Sequence, residues 1–231
     1  MSVLEELQGL AEKEYKAFNL KIIPTKQTPL GVRLPILRKI AKRIAKEDAI
    51  DFVKSDKQNI YEMILLEGMV LSYMNESFKE LLPLTENFLN KVDNWAQVDS
   101  TICDFQKIES EKEDVLAVVK KWLNSHEEFF VRAGLVMLLA HFVEKQNLKM
   151  IFNLSQRVVH TGYYVHMGNA WLISCCMAKF PEETIVFFRN NTLDNRTHNK
   201  AIQKSRESFR VSKEHKAIIN ELKRTQRGYG K

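Results

Sequence analysis

Five long stretches with helical hydrophobic periodicity recur along the chain, near Asn59–Met74, Asn94–Phe105, Glu127–Val143, Gly162–Phe180 and Arg196–Phe209. Their starts lie about 33–36 residues apart. A shorter helical stretch fits each interval: Ser77–Asn90, Lys112–Asn124, Leu148–His160 and Glu182–Asn190. A helix pair repeating at this period is the signature of an α-solenoid, slightly shorter than the ~40–47 residues usual for HEAT-type repeats. One such pair cannot bury its apolar face alone, so neighbours must stack. The expectation is an all-α superhelix of HEAT-like helix pairs, about six of them, forming a single domain over residues 1–231. The second helix of each pair would line one concave, basic face.

Little in the chain competes with this reading. Only eight glycines and five prolines interrupt 231 residues, and strand-like alternation bounded by hairpin turns is hard to find. Ahead of the repeats, one helix is predicted from Val3 to Ile23, with Leu4, Leu7, Leu10, Tyr15, Phe18 and Ile22 as its apolar stripe. Pro24 ends it, and Thr25–Leu34 reads as a loop carrying Pro29 and Gly31. Pro35 suits the first turn of a helix reaching Lys46, and a short helix follows near Asp48–Lys54.

Composition narrows the class of function. No apolar run approaches the ~18–20 residues needed to span a bilayer, and the charged first twenty residues do not read as a signal peptide. The three cysteines, Cys103, Cys175 and Cys176, form neither a disulfide framework nor a C-x-x-C site, which points to a reducing cytoplasm. Net charge is +6 but unevenly spread. Arg196–Lys231 holds eleven Lys/Arg and three acids, and Lys26–Lys54 holds eight and three, so the remainder is net acidic. Both ends therefore suit a polyanion-binding surface, or else solvated helix faces.

The residues able to carry chemistry fall on successive long helices. Trp95 and Asp99 are four apart, on one face of the helix that Asp93 or Asn94 would cap. Arg132 interrupts the apolar run Phe129–Phe142, and Trp171 follows on the next long helix. A solenoid sets equivalent positions side by side, so these four could converge on the concave face. The same residues could instead be an Asp–Arg lock between repeats, flanked by two core tryptophans. The six histidines show no paired metal-ligand spacing, and no P-loop or G-x-G-x-x-G is present. Cys175 and Cys176 read as packing residues, Tyr163 and Tyr164 as core or rim, and Glu67 as an inward-facing structural carboxylate.

Several segments in order carry a resemblance. They are Leu30-Gly31-Val32-Arg33-Leu34-Pro35 with its basic helix, Asp93-Asn94-Trp95 to Asp99, and Phe130-Val131-Arg132. Tyr163-Tyr164 through Ala170-Trp171-Leu172-Ile173-Ser174 and Asn199–Lys204 continuing to Arg210 complete the set. Over essentially the whole chain the sequence resembles bacterial DNA alkylation repair proteins of the AlkD type, HEAT-like-repeat DNA glycosylases. The resemblance implies that Asp99 is the catalytic carboxylate and that Trp95 and Trp171 contact the lesion's backbone and sugar. Arg132 would shape the same site. It implies hydrolysis of the N-glycosidic bond of N3- or N7-alkylated purines in double-stranded DNA, without cofactor or metal.

Phosphate contacts would come from Arg38, Lys39, Lys42 and Arg43, and from Lys200, Lys204, Arg206, Arg210 and Lys213. One departure stands out. Relatives that excise bases have a short second helix that probes the minor groove, before the loop into the basic helix. Here a single helix running to Ile23 leaves scarcely room for it, so that element is expected to be missing or reduced. The leading expectation is thus a cytoplasmic, monomeric alkylpurine glycosylase that touches no membrane. The alternatives are a catalytically weak or inactive nucleic-acid-binding paralogue and a protein–protein scaffold.

Overall fold

The periodic stretches fold as helices, fourteen of them among residues 1–225, which the computed structural model describes. Arg227 and Lys231, counted above in the basic C-terminal stretch, lie outside the described residues. The fold is all-α, with consecutive helices packed in a repeat-like arrangement inside each of two compact units, Met1–Ala117 and Val118–Lys231. Among the described residues no helix is long and apolar enough to cross a membrane.

The first unit holds α1 (Val3–Gly9), α2 (Lys13–Ile22), α3 (Leu34–Ile44), α4 (Ala49–Lys54), α5 (Tyr61–Tyr73), α6 (Phe78–Leu89) and α7 (Trp95–Ile102). α5 is its axis, buried from Tyr61 to Ser72 and packed against α3, α4, α6 and α7. Gly68 permits this. A Cβ there would come 2.0 Å from Thr101 Oγ1 and 2.6 Å from the Phe88 ring. Glu67, one residue earlier, is fully buried and pairs with Lys91 at 2.7 Å and Lys57 at 3.6 Å. Lys57 also donates to the Phe52, Val53 and Ser55 carbonyls, so this carboxylate is structural, as its place in an apolar run implies.

α8 (Lys112–Leu123) crosses the boundary in sequence. The second unit continues with α9 (Glu128–His141), α10 (Leu148–Arg157), α11 (Tyr163–Lys179), α12 (Pro181–Asn190), α13 (Asn195–Glu207) and α14 (Lys213–Asn220). α11 is the central helix, flanked by α9 and α13, and its Ala170, Ile173 and Met177 join Ile185, Phe188, Ile202 and Ile219 in one core. Cys176 lies in that packing, and burial pushes its thiol up to about 12, as befits a core residue rather than a nucleophile.

The N-terminal expectation is overturned. The single helix predicted over Val3–Ile23 is two helices, α1 and α2, with a break at Leu10–Glu12. The Glu12 N–H donates to Gly31 O at 2.9 Å instead of continuing α1, and Gly9 is a poor helix former at that spot. Gly31 makes the approach possible. Its φ is +101°, and a Cβ on it would lie 2.6 Å from Glu12 O. Arg33 then clamps the break with a bidentate pair to Glu12 at 2.8 and 2.9 Å. The predicted apolar stripe is also divided. Leu7 is buried, while Leu10, Phe18 and Ile22 are exposed, together with Leu20. A short second helix does precede the loop into α3, where none was expected.

Candidate functional site

The basic helix α3 is positioned by a carboxylate that sequence reasoning passed over. Glu62, fully buried on α5, accepts the Leu30, Gly31 and Val32 N–H groups at 2.8, 2.7 and 3.2 Å. The left-handed turn at Gly31 lets these successive N–H groups converge on one anion. The Leu30–Pro35 motif is therefore a cradle for Glu62, and it sets where α3 begins. The signal available in sequence was weak: an acid beside Tyr61 at the head of an apolar helix.

α7 carries Trp95 and Asp99, both half-buried, with Ala96, Val98 and Ile102 turned into the core. Asn94, rather than Asp93, caps it, its Oδ1 accepting from the Ala96 and Gln97 N–H groups at 3.1 and 3.2 Å. Asp93 does something else. It accepts from Thr25 Oγ1 at 2.9 Å and from the Lys26 N–H at 2.6 Å, tying the segment after α2 to the start of α7. Gln97 donates to Gln27 Oε1 at 2.6 Å and to Tyr61 O at 3.3 Å, and Gln27 donates to Lys91 O at 3.0 Å. The Trp95 indole N–H reaches Ile22 O, the last residue of α2, at 3.4 Å. The exposed Phe18, Leu20 and Ile22 thus sit on the helix that Trp95 touches.

In the second unit, Arg132 is 4% exposed on α9. Its Nη1 donates to Tyr164 O at 2.8 Å, and its guanidinium lies 6.0 Å from the Tyr164 ring centre. The side chain crosses α11 at Gly168, where a Cβ would be 3.5 Å from Nη1. Trp171, one turn further along α11, is half-buried. Glu128 accepts the Tyr164 N–H at 2.6 Å, and Phe129 packs on the Tyr164 ring at 5.6 Å, so α9 fixes the first turn of α11. Tyr163 faces outward, 55% exposed, with the Arg196 guanidinium 5.7 Å from its ring. Of the core and rim positions expected for Tyr163, it takes the rim, and Arg196 beside it carries no signal in the sequence that marks it out. The third tryptophan, Trp122, is 1% exposed and edge-on to Phe130, an ordinary core residue.

The basic residues divide by occupation. Arg38 pairs with Asp104 at 3.0 Å, which also accepts from the Tyr73 hydroxyl at 2.7 Å, and Arg43 pairs with Glu6 and Glu47. Lys39 is exposed, and Lys42 lies 5.1 Å over the Tyr73 ring. On α13, Lys200 bonds Gln203 at 2.8 Å and Arg206 is exposed. Lys204 is half-buried, and desolvation, then the nearby Lys200 and Arg132 charges, hold its amine below the usual lysine range. Arg210 and Lys213 are exposed around the start of α14. No group of three or more His, Cys, Asp or Glu among the described residues is placed to hold a metal ion.

The structure thus brings Trp95 and Asp99 together on α7 of the first unit, and Arg132 and Trp171 onto adjoining helices of the second. Residues 3–209 match the family model described as DNA alkylation repair enzyme. The chain belongs to the DNA alkylation repair enzyme family. Membership makes DNA the class of partner and DNA repair the class of function. Comparison with curated proteins found no match.

Proposed function

We propose that the protein is a DNA glycosylase that hydrolyses the N-glycosidic bond of cationic N3- or N7-alkylated purines in duplex DNA, with Asp99, Trp95, Trp171 and Arg132 acting on one substrate. The observation that carries this reading is the contrast among the tryptophans. Trp122 is sealed in the core, while Trp95 and Trp171 stay partly open on α7 and α11. The open indole surface of that pair is available to a ligand, whereas that of Trp122 is not.

The chemistry follows from the substrate's charge. An alkylated purine leaves as a neutral base, so the departing nitrogen needs no proton from the protein. As the glycosidic bond breaks, positive charge builds on the sugar at C1′. A fixed carboxylate at Asp99 stabilises that charge and orients the water whose oxygen bonds to C1′, its proton passing to solvent. The electron-rich faces of Trp95 and Trp171 suit the same cationic centre. Arg132, held on Tyr164, and the exposed Lys39, Lys42, Arg206, Arg210 and Lys213 supply positive charge for phosphates, with Lys200 and Lys204 beside them. α2, with Phe18, Leu20 and Ile22 exposed, is the element we assign to the minor groove. Its presence supports excision over a paralogue that only binds.

Release of 7-methylguanine from methylated duplex, without added metal or nucleotide, tests the proposal. Asp99→Asn should slow release by about 10²–10³, roughly 2.7–4 kcal/mol of barrier, with little change in DNA affinity. Full release by Asp99→Asn would remove the assigned role. Salt-sensitive binding without release by the wild type would leave a DNA-binding relative instead.

A further inference from the structure

The second unit contains a groove of about 690 Å³ between the C-terminal end of α8 and the face of α10. Neither helix carries a residue of the proposed excision site. Two ridges of α10 line the groove at four-residue spacing: Lys149, Asn153 and Arg157 form one, and Met150 and Leu154 the other, with Val158 just past the helix end. Across from them α8 contributes Lys120 and Leu123. No acidic residue lines the groove. On the neighbouring surface, by contrast, Lys145 is neutralised by Glu183 at 3.2 Å.

The spacing of these charges decides among anionic occupants. Lys149 and Arg157 are eight residues apart, about 12 Å along the helix, with apolar side chains alternating beside them. The phosphates of a nucleotide lie close together and call for cations that converge, whereas Lys149 and Arg157 stand about two turns apart on one helix. A single nucleic-acid strand calls for aromatic platforms on which bases stack, and no aromatic residue lines it. Charge at each end and an apolar residue on every turn match another amphipathic helix, laid lengthwise with its own apolar stripe down and its carboxylates at the edges.

We propose that the groove between α8 and α10 docks an acidic amphipathic helix of a protein partner, separate from the DNA-facing residues. Fluorescence anisotropy on the full chain tests this, using labelled helical peptides with Leu at i, i+4 and i+7 flanked by Glu, against isomers of the same composition in scrambled order. The patterned peptides should bind about tenfold tighter or more than their isomers, with competition by unlabelled peptide. The double variant Lys149→Glu/Arg157→Glu should lose that preference, as should Leu154→Asp, while Lys13→Glu, which is not among the lining residues, keeps it. Circular dichroism and melting of each variant check that the fold is intact. Equal binding of patterned and scrambled peptides, no binding by either, or indifference to the groove substitutions would overturn the proposal. So would displacement of the peptide by a triphosphate or a short oligonucleotide, which would make the groove a phosphate site.

Discussion

Trp95 opens an eight-residue helix held by directional bonds, whereas Trp171 stands midway along a seventeen-residue helix held by packing. Around Trp95 the partners are polar and distant in sequence. Asp93 holds Thr25 and Lys26, Gln97 holds Gln27, and the indole itself reaches Ile22. Around Trp171 the neighbours Ala170, Leu172 and Ile173 are all buried, and α11 lies between α9 and α13. A helix of about two turns buries too little to fix its own rotation and is marginal by itself. Hydrogen bonds supply the missing direction. A long helix is set by area and needs few such bonds. The two tryptophan-bearing regions should therefore fail in different ways.

The largest contrast should come from removing what each region rests on. Glu62→Ala leaves three N–H groups, two of them buried, without their carboxylate and should cost about 3–5 kcal/mol, with the start of α3 released. Ile173→Ala opens a cavity in the core under α11 and should cost about 2–5 kcal/mol without removing a side-chain hydrogen bond. Urea unfolding measures both, and hydrogen exchange at Leu30–Val32 separates them. Only Glu62→Ala should lose protection there. Equal protection in the two variants would break the comparison.

A gentler cut is Asp93→Ala, expected to cost about 1–2 kcal/mol. It should detach Thr25 and Lys26 from α7 and shift Trp95 emission, while affinity for duplex DNA falls. Fluorescence of Trp122→Phe/Trp171→Phe with and without Asp93→Ala reads this directly, and an unchanged spectrum would mean that Asp93 does not position the indole.

The smallest effect belongs to a buried polar group of the second unit. His198 is fully buried, with Nε2 2.8 Å from Leu222 O, and burial first, aided by Arg224, holds its imidazole below its ordinary value of 6.5. The unfolded chain therefore takes up the proton first as pH drops below that value. The stability from neutral His198 is present above pH 6.5 and lost as pH falls toward the folded pKa. Melting temperature should decline as pH falls below 6.5, and His198→Asn should flatten that decline.

How legible the protein was in its sequence differed along the chain. The helices from α5 to α13 lie within a few residues of their expected places, because hydrophobic periodicity is a local property that burial reinforces. α14 went unpredicted, its single buried residue Ile219 giving too faint a stripe. The N-terminal region misled for the same reason in reverse. Its apolar residues are spaced as on one continuous helix, yet Phe18 and Ile22 face solvent. Periodicity reports which residues could share a face, but a backbone hydrogen bond from Glu12 to Gly31 decided that they do not.

By itself, then, the sequence determined the all-α class, the repeat, and the candidates Trp95, Asp99, Arg132 and Trp171, since each rests on residue type and spacing. Only the tertiary structure decided that Trp122 is core while the other two tryptophans stay partly open. It also decided that Glu62 seats the loop before α3, that Asp93 clamps rather than caps, and that a short α2 meets Trp95. Those outcomes depend on partners far away in the chain. Burial and buried polar pairing are settled by what packs against a residue, and its neighbours in sequence do not contain that information.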